Sequence, residues 1–453
     1  MDLNNFQILD TLKVKDALLK IEQNQKGFVC TINRNGSVTG ILTDGDIRRL
    51  IINEVSINTP IIEVTNTKFL WSKINIPREE ILKKLDNVIH FIPVLDENKK
   101  LVTIFAKDNL PINDEERVVI KSKSPVRISF AGGGSDTTNY FEKNDGATLN
   151  ATISIFAHAV LKKRNDNKVI FHSLDLDKSI KSKNLQEFLS IKENFGLIQS
   201  VLKMVNPQFG FELMLYSDFK MQSGLGGSSA IVSSILGCFN ELRLDQWSDH
   251  ELVELAFQAE RLYYNVAGGW QDQYATVFGG LNFIEFNESL NTVHPLRLPL
   301  NIQEELEECL VLCNTNIKHE SGDIHLDQKK QMHKLQKIEK VKSNVQIAYK
   351  MRNSLLRGEL NNFGKLMNQS WKIKRSLSTK ISSNYLDNIY TSAIKNGALG
   401  GKLLGAGGGG CFLFFIDPFK RNKLVSTLKN LNLEILPLVF ENKGLRSWRI
   451  RAK

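Results

Sequence analysis

The chain has 453 residues, of which 42% are hydrophobic and 24% charged, a balance typical of globular proteins and long enough for two or three domains. Its first ten residues, MDLNNFQILD, lack the basic and apolar regions of a secretory signal, and no apolar run reaches the roughly 18 residues that span a bilayer. We therefore expect a cytoplasmic protein that does not bind a membrane.

The formal charge of +10 is unevenly distributed along the chain. Residues 1–115 carry 15 Lys and Arg against 16 Asp and Glu, whereas the remaining residues carry 44 against 33. No zinc-finger spacing, homeodomain-like helix or aromatic RNA-binding strand accompanies this excess, so nucleic acid is not expected as a partner. Small anionic substrates explain the basic part better.

The five cysteines are scattered and form no CxxC pair, which argues against a disulfide framework and against a structural zinc site. Two of them, Cys309 and Cys313, flank an apolar segment that is typical of a buried strand. We expect all five to be reduced thiols with a structural role.

Residues 1–115 contain a repeated order of helix-like and strand-like segments, with a period of about 65 residues. The first copy includes VKDALLKIEQN and GSVTGILTDGDIRRLI, and the second includes PREEILKKLDN and IHFIPVLDENKKLVTIFAKDNL. This order resembles a pair of cystathionine β-synthase (CBS) motifs. In that family a Gly-x-x-Thr-x-x-Asp signature binds the ribose of an adenine nucleotide.

The first copy carries this signature, with Thr43 and Asp46 at its polar positions, so the resemblance implies a regulatory nucleotide site there. In the second copy Val102 stands at the glycine position and Phe105 at the threonine position, while Asp108 is retained. We therefore expect at most one adenine-nucleotide site. A purely structural or dimerising module is the alternative.

The polar segment LPINDEERVVIKSKS reads as a linker that runs into a first strand. Three glycine-rich stretches follow it, in SPVRISFAGGGSDTTNYF, QSGLGGSSA and GGKLLGAGGGGCFLFF, each predicted to lie between a strand and a helix. The residues alone leave two interpretations open. The glycines could form tight turns before capped helices, or their N–H groups could bind phosphate at a helix N-terminus.

The middle stretch is not a Walker A loop, because Ser228 and Ser229 directly follow its last glycine, where that pattern needs Lys and then Ser or Thr. The three stretches in this order resemble the GHMP superfamily of galactokinase, homoserine kinase, mevalonate kinase and phosphomevalonate kinase. The resemblance covers essentially all of residues 121–453. Together with LNATIS, GGWQDQYATVFGG and SWRI, they are most similar to the branch that phosphorylates D-glycero-D-manno-heptose 7-phosphate.

The resemblance implies an α+β fold. A two-lobed GHMP kinase, with an α/β N-terminal lobe and a ferredoxin-like C-terminal lobe, would follow an α/β CBS-pair domain. The corresponding domains are residues 1–115 for the CBS pair, 116–300 for the first lobe and 301–453 for the second.

The resemblance also implies that the middle glycine stretch wraps the phosphates of ATP and that Ser228 and Glu260 hold Mg²⁺. Lys220 and Gln222 stand where relatives commonly carry Pro and Gly, which affects the shape of this loop more than its role. The residues expected at ATP are Ser223, Gly224, Leu225, Gly226, Gly227, Ser228, Ser229 and Ala230.

Asp272 is implied as the base for the acceptor hydroxyl. Arg127 would keep that carboxylate ionised and offset charge in the transition state. An Arg within an apolar strand is costly unless it is paired, which independently favours a cleft-facing position. The expected contacts to the sugar phosphate are Gly134, Asp136, Gly407 and Gly408, with Lys374 and Arg375 as a pocket for its 7-phosphate.

Simpler interpretations of these residues stay open. Asp136 could cap the helix that starts near Thr137, Glu260 could be a solvated helix carboxylate, and the third glycine stretch could be a hairpin turn. The basic run SWKIKRSLS could be a solvated helix face.

The implied reaction is ATP-dependent phosphorylation of the C1 hydroxyl of D-glycero-D-manno-heptose 7-phosphate. Its product would be the 1,7-bisphosphate on the route to nucleotide-activated heptose. One alternative is a kinase for another sugar, such as fucose. A second is a nucleotide-sensing protein with an inactive kinase-like domain, which the intact set of site residues disfavours. A homodimer is also left open.

Overall fold

The computed structural model describes residues 3–74, 76, 91–106, 119–192, 195–317 and 335–450. By its internal contacts the chain divides into two compact units, Met1–Glu115 with Leu242–Gln246, and Glu116–Glu241 with Trp247–Lys453. Asp108 and most of the predicted linker lie outside the described residues. Within the described ranges, no helix is long and apolar enough to cross a membrane.

The described part of the first unit contains short helices and two small sheets. Its helices are α1 (Val14–Asn24), α2 (Asp44–Ile52) and α3 (Ile61–Val64). Its strands are β1 (Gln7–Leu9), β2 (Phe28–Ile32), β3 (Val38–Thr43), β4 (Ser72–Lys73), β5 (Phe91–Leu95) and β6 (Leu101–Ala106).

The two sheets of the first unit share one design. In β1-β2-β3 and in β4-β5-β6 the first pair of strands is parallel and the second pair antiparallel. Phe28 and Phe91 occupy equivalent positions at the start of the middle strands, and their rings stack with centroids 3.4 Å apart. The internal repeat is therefore visible in the described strands, whereas its assignment to the CBS family stays a prediction.

The strand register corrects the alignment of the two copies. Phe28 pairs with Thr43 across the first hairpin, and the equivalent Phe91 pairs with Ala106 across the second. Ala106 therefore occupies the position in the second copy that Thr43 occupies in the first. The assignment of Phe105 to that position was wrong by one residue. In a strand such a slip exchanges the two faces of the sheet.

The same shift moves the glycine place of the second copy from Val102 to Thr103. Neither Thr103 nor Ala106 is the residue type that the signature requires at its position. The expectation of at most one nucleotide site therefore holds with either alignment of the second copy.

The second unit is built on two sheets. The larger contains β7 (Val119–Ala131), β8 (Gly146–Lys163), β9 (Val169–Ser173), β10 (Lys178–Ser182), β11 (Phe211–Ser217), β12 (Leu281–Phe286), β13 (Thr292–Pro295) and β18 (Arg446–Ile450). The smaller is antiparallel and contains β14 (Leu310–Asn314), β15 (Ala398–Leu403), β16 (Cys411–Ile416) and β17 (Glu434–Leu436) in the order β15-β16-β14-β17.

Helices cover these sheets. Those of the first half are α4 (Thr138–Phe141), α5 (Leu185–Leu189), α6 (Gly196–Val205), α7 (Gly227–Leu242), α8 (Asp249–Gln258) and α9 (Gln271–Phe278). Those of the second half are α10 (Leu300–Cys309), α11 (Leu335–Leu356), α12 (Leu360–Arg375), α13 (Asn384–Lys395) and α14 (Pro418–Asn430).

A large hydrophobic core lies within the second unit. It joins Phe130 on β7 and Leu149 on β8 with Phe363 on α12 and Phe415 on β16, all of which are at most 1% exposed. Burying large aromatic and aliphatic side chains of this kind contributes about 1.5–3 kcal/mol each. Because the core includes residues from both predicted lobes, it keeps strand β7 in place relative to helix α12.

The third glycine stretch differs from its prediction. It lies between β15 and β16, which pair as an antiparallel hairpin, and not between a strand and a helix. The apolar CFLFF segment that follows it forms a fully buried strand, as expected, and Cys313 and Cys411 pack on the same sheet as free thiols.

We predict that Gly400→Ala destabilises the protein by about 1–3 kcal/mol, the usual scale of overpacking. Helix α12 crosses β15 so closely that an added methyl group would press on the Gly364 carbonyl and stand 2.8 Å from the Asn368 nitrogen. Neither backbone atom can move aside. Chemical denaturation of the purified variant measures the effect.

Gly133→Ala is the matched control, since no atom lies within 4 Å of the methyl group it would add. Its free energy of unfolding should stay within about 0.5 kcal/mol of the wild type. Equal stability of the two variants would show that α12 does not approach β15 this closely.

Candidate active site

A cleft of about 310 Å³ opens in the second unit, where the three glycine-rich stretches meet. The first stretch contributes Gly133 and Gly134, the middle one contributes residues 222–228 except Leu225, and the third contributes Gly405 and Ala406. Charged side chains from β7, α9, α12 and β15 line the same cleft. The sequence positions are far apart, and the fold brings them together.

An ion pair between Arg127 and Asp272 lies at the centre of this cleft. Arg127 Nε donates to Asp272 Oδ1 and Arg127 Nη2 donates to Oδ2, both at 2.7 Å. The Arg127 side chain is 4% exposed, whereas that of Asp272 is 23% exposed. A bidentate pair of this kind holds both groups in one orientation, so the carboxylate faces the cleft in a fixed position.

The middle glycine stretch is attached to this ion pair. The third guanidinium nitrogen, Arg127 Nη1, donates to the Gly224 carbonyl at 2.6 Å, and the Arg127 N–H donates to the Leu225 carbonyl at 2.9 Å. Gly226 has a φ of +77° and its added Cβ would stand 3.3 Å from Asp272 Oδ2. A glycine is therefore needed where the loop passes over the pair.

Helix α7 begins directly after this loop, at Gly227. Its first N–H groups have no partner within the helix and carry the positive end of the helix dipole, so the start of α7 can bind an anion. Of the predicted ATP-binding residues, Ser223, Gly224, Gly226, Gly227 and Ser228 line the cleft. The other three, Leu225, Ser229 and Ala230, are fully buried behind it.

Glu260 lies beside the start of α7. The Ser228 hydroxyl is 3.5 Å from Glu260 Oε2, and the Arg261 guanidinium is 3.2 Å from the same oxygen. Burial raises the pKa of the Glu260 carboxyl, although Arg261 partly opposes this. Its other oxygen, Oε1, is buried and has no hydrogen bond within 3.5 Å among the described residues, although the side chains of Ser229 and Gln273 lie near enough to lower the pKa of this carboxyl.

The segment that carries Glu260 is a π-helical turn, Ala259–Tyr263, that continues helix α8. Its wider ring is closed by the Tyr264 N–H, which donates to the Ala259 carbonyl at 3.0 Å. Such turns occur often at functional sites. The sequence predicted a regular helix here.

Asp136 joins the first glycine stretch to the start of helix α9. Its Oδ1 accepts from the Gly134 N–H and its Oδ2 from the Gln271 N–H, each at 3.1 Å. The helix that starts near Thr137 has no side-chain cap, so the simpler interpretation of Asp136 as its cap is wrong. Burial and the neighbouring Asp272 raise the pKa of Asp136.

The two residues of the predicted 7-phosphate pocket point in different directions. Lys374 is buried in the cleft, where its Nζ donates to the carbonyls of Leu403 at 2.9 Å and Gly405 at 2.5 Å. Arg375 is half exposed and forms an ion pair of 3.2 Å with Asp387. Successive residues of a helix point about 100° apart, so only Lys374 faces the cleft.

Gly407 and Gly408 do not line the cleft. They pack against Ile381, and the Gly408 N–H donates to the Ile381 carbonyl at 2.9 Å. Gly405 and Ala406 take their place at the cleft wall. Gly407 and Gly408 therefore lie outside the cleft wall, and their contact with the sugar stays a prediction.

Sequence reasoning missed Lys402 and Gln271. Lys402 is 2% exposed on β15, and its Nζ lies 3.4 Å from the Ser129 hydroxyl, which in turn donates to Gln271 Oε1 at 3.0 Å. A lysine within the apolar run LGGKLLG is the same signal that singled out Arg127. Lys402 was not singled out because it lies within the third glycine-rich stretch, whose glycines were the recognised signal.

In the first unit, Thr43 and Asp46 bond to each other. Thr43 caps helix α2, its hydroxyl donates to Asp46 at 2.7 Å, and the Asp46 N–H donates back to Thr43. Burial raises the pKa of Asp46, but the bonds from Thr43 and Arg49 outweigh it and keep that pKa below its ordinary value. A structural cap accounts for both residues, and the nucleotide site stays a prediction.

Comparison with known proteins gives matches for the second unit. A family model described as the GHMP kinases N terminal domain matches residues 194–280, and one described as GHMP kinases C terminal matches residues 351–432. A D-glycero-alpha-D-manno-heptose 7-phosphate kinase of Campylobacter jejuni is 37% identical over 337 residues, which are 73% of this chain and 99% of that protein.

Solved structures agree with this match. A D-glycero-D-manno-heptose 1-phosphate kinase from Bacteroides thetaiotaomicron is 27% identical with a TM-score of 0.61, over 74% of this chain and 100% of that one. Lactococcus lactis galactokinase, complexed with galactose, shares the fold at 20% identity and a TM-score of 0.60, over 72% of this chain and 95% of that one. The chain therefore belongs to the GHMP kinase family.

Proposed function

We propose that this kinase transfers the γ-phosphoryl group of ATP to the C1 hydroxyl of D-glycero-D-manno-heptose 7-phosphate, giving the 1,7-bisphosphate. The observation that carries the proposal is the Arg127–Asp272 pair, which holds a carboxylate in the cleft beside the start of helix α7. The 37% identity to a heptose 7-phosphate kinase over almost its full length supports the choice of acceptor.

Asp272 acts as the base in this proposal. Arg127 holds the carboxylate in one orientation at the cleft wall, where the acceptor hydroxyl would donate to it. The hydroxyl proton passes to Asp272 as the sugar oxygen bonds to the phosphorus atom. Arg127 offsets the negative charge that develops beside it.

The nucleotide phosphates bind at the N–H groups of the middle glycine stretch and the start of α7. Ser228 and Glu260 would hold Mg²⁺ there, together with phosphate oxygens, because Mg²⁺ commonly takes one or two protein ligands and leaves other positions to substrate. The position of the buried Glu260 carboxyl beside the Ser228 hydroxyl fits that role. When bound, the ion would neutralise charge on the phosphates.

The sugar lies against Asp136 and the first glycine stretch in this arrangement. Asp136 is held by two backbone N–H groups, so its remaining lone pairs can accept from sugar hydroxyls in a defined direction. Gly269 and Gln271 form the adjoining wall.

A kinase for another free sugar is the second candidate. An L-fucokinase/L-fucose-1-P guanylyltransferase of Bacteroides fragilis is 26% identical over 368 residues, although this chain covers only 38% of that protein. The Bacteroides thetaiotaomicron kinase is named for heptose 1-phosphate, whereas the Campylobacter jejuni kinase is named for heptose 7-phosphate. The position that is phosphorylated therefore needs to be measured.

A coupled assay for ADP release decides between these acceptors. We expect D-glycero-D-manno-heptose 7-phosphate to give the highest kcat/KM, above heptose 1-phosphate, free heptose, fucose and galactose, and ³¹P NMR should place the new phosphate at C1. A higher kcat/KM for an unphosphorylated sugar would refute the proposed acceptor. No turnover with any sugar would favour a nucleotide sensor.

We predict that Asp272→Asn lowers kcat by about two orders of magnitude or more, the usual scale of general acid–base catalysis. The amide keeps the shape of the side chain but cannot accept the hydroxyl proton. ATP affinity, measured by calorimetry, should change only a few-fold. Asp249→Asn, on the exposed first turn of α8, is the control and should keep full activity.

We predict that Ser228→Ala and Glu260→Gln each raise the Mg²⁺ concentration needed for half-maximal activity, because each removes one oxygen ligand or weakens it. Titration of activity with Mg²⁺ at saturating ATP measures this. Glu254→Gln, an exposed carboxylate on the same helical segment, should leave the titration unchanged. Unaltered curves for both site variants would argue that the ion binds elsewhere.

A further inference from the structure

Two lysines are buried together on the floor of the cleft. Lys374 on α12 is 8% exposed and Lys402 on β15 is 2% exposed, and both line the same cavity as Arg127. Fully buried lysines are rare in proteins unless a negative partner accompanies them. Three cations in one small cavity therefore need a negative partner.

The described part of the protein supplies little negative charge to pair with these two lysines. Lys374 Nζ donates to two backbone carbonyls, and the one hydrogen bond of Lys402 Nζ goes to the Ser129 hydroxyl at 3.4 Å. Neither ammonium group forms an ion pair within 4.0 Å among the described residues. The two nearest carboxylates are already engaged, Asp272 by Arg127 and Asp136 by two backbone N–H groups.

The electrostatics agree with this geometry. Burial and then Arg127 lower the pKa of Lys374 to about 7, against the opposing effect of Asp136 and Asp272. Burial, followed by Lys374 and Arg127, lowers the pKa of Lys402 well below its ordinary value. The empty cleft thus disfavours the charged ammonium forms, and a bound anion would raise both pKa values and hold the lysines protonated.

We propose that Lys374 and Lys402 form a phosphate-binding position in the cleft, beside the Ser129 hydroxyl. It differs from the N–H groups at the start of α7, since its donors are side chains from α12 and β15. A phosphate dianion matches two ammonium groups in charge and offers several acceptor oxygens to their N–H donors.

This inference rests on the proposed kinase function for its biological source of phosphate. Two sources have the same chemistry: the phosphate that the acceptor sugar already carries, and the terminal phosphate of the nucleotide. Lys402 lies beside Ser129 and near Asp136, the predicted sugar contact. Lys374 holds the Gly405 carbonyl of the loop that packs on Gly224.

Lys402→Met tests the site, because methionine keeps the length of the side chain and removes its charge. Lys372→Met, an exposed lysine on the same helix as Lys374, is the control for net charge. Inorganic phosphate in magnesium-free buffer is the probe for calorimetry. We expect Lys402→Met to weaken phosphate binding at least tenfold and the control to bind like the wild type.

Thermal unfolding without ligand provides a second measurement. Since Lys402→Met removes a buried amine that has no ion-pair partner among the described residues, its Tm should equal or exceed that of the wild type, and added phosphate should raise the Tm of the wild type only. A lower Tm with unchanged phosphate affinity would overturn the proposal and make Lys402 structural. If Lys402→Met does not fold, Lys374→Met replaces it with the same expectation for phosphate binding.

Steady-state kinetics then separates the two sources. If the site takes the acceptor's phosphate, Lys402→Met raises the KM of the sugar phosphate at least tenfold and leaves the KM of ATP unchanged. If the site takes the nucleotide phosphate, Lys402→Met changes kcat or the KM of ATP at least tenfold, whichever acceptor is used. Wild-type values for all of these constants would refute the site.

Phosphate binding is measured without any sugar, so it is independent of the acceptor. A protein that turns over no sugar phosphate but loses phosphate affinity on Lys402→Met would refute the proposed acceptor and support the anion site. The reverse pattern would support the acceptor and refute the site.

Discussion

The guanidinium of Arg127 holds the active cleft together. Its three nitrogens bond to both oxygens of Asp272 and to the Gly224 carbonyl, so one side chain joins strand β7, helix α9 and the middle glycine loop. Burying an ion pair has a high desolvation cost, and removing one partner of such a pair commonly costs about 3–5 kcal/mol. The pair is therefore better explained by the orientation it gives the Asp272 carboxylate than by a gain in folding stability. It keeps this carboxylate facing the cleft.

The glycine loops are shaped by what they must approach. The middle loop crosses Arg127 and Asp272 at Gly226, where a side chain would collide with the pair. The third loop packs its Gly405 against Gly224, and Lys374 holds its carbonyls from the other side. Helix α12 therefore supports the loop from the second half of the kinase, and a hydrophobic core shared by both halves holds them together.

Much of this site could be predicted from the sequence, for reasons that differ between residues. Arg127 interrupts an apolar strand, and Asp272 lies in a family motif, so both were found. Lys374 and Arg375 could not be told apart, because adjacent helical residues face different directions and the sequence does not reveal which faces inward. Phe105 was misplaced because a strand alignment by residue type can slip by one position, which only hydrogen-bonded pairing detects.

The π-helical turn at Ala259–Tyr263 limits how this part of the chain can vary in length. A π turn accommodates one more residue than an α-helical turn without lengthening the path of the helix, so it changes the directions of the side chains within the turn while those before and after it keep theirs. Loss of one residue from the turn would restore regular α-helical hydrogen bonding and turn these side chains away. Arg261 would then leave the cleft and Glu260 would leave the start of α7. A homologue with one residue fewer in this turn would need a different source for both groups, so the length of this segment marks how a related kinase builds its cleft.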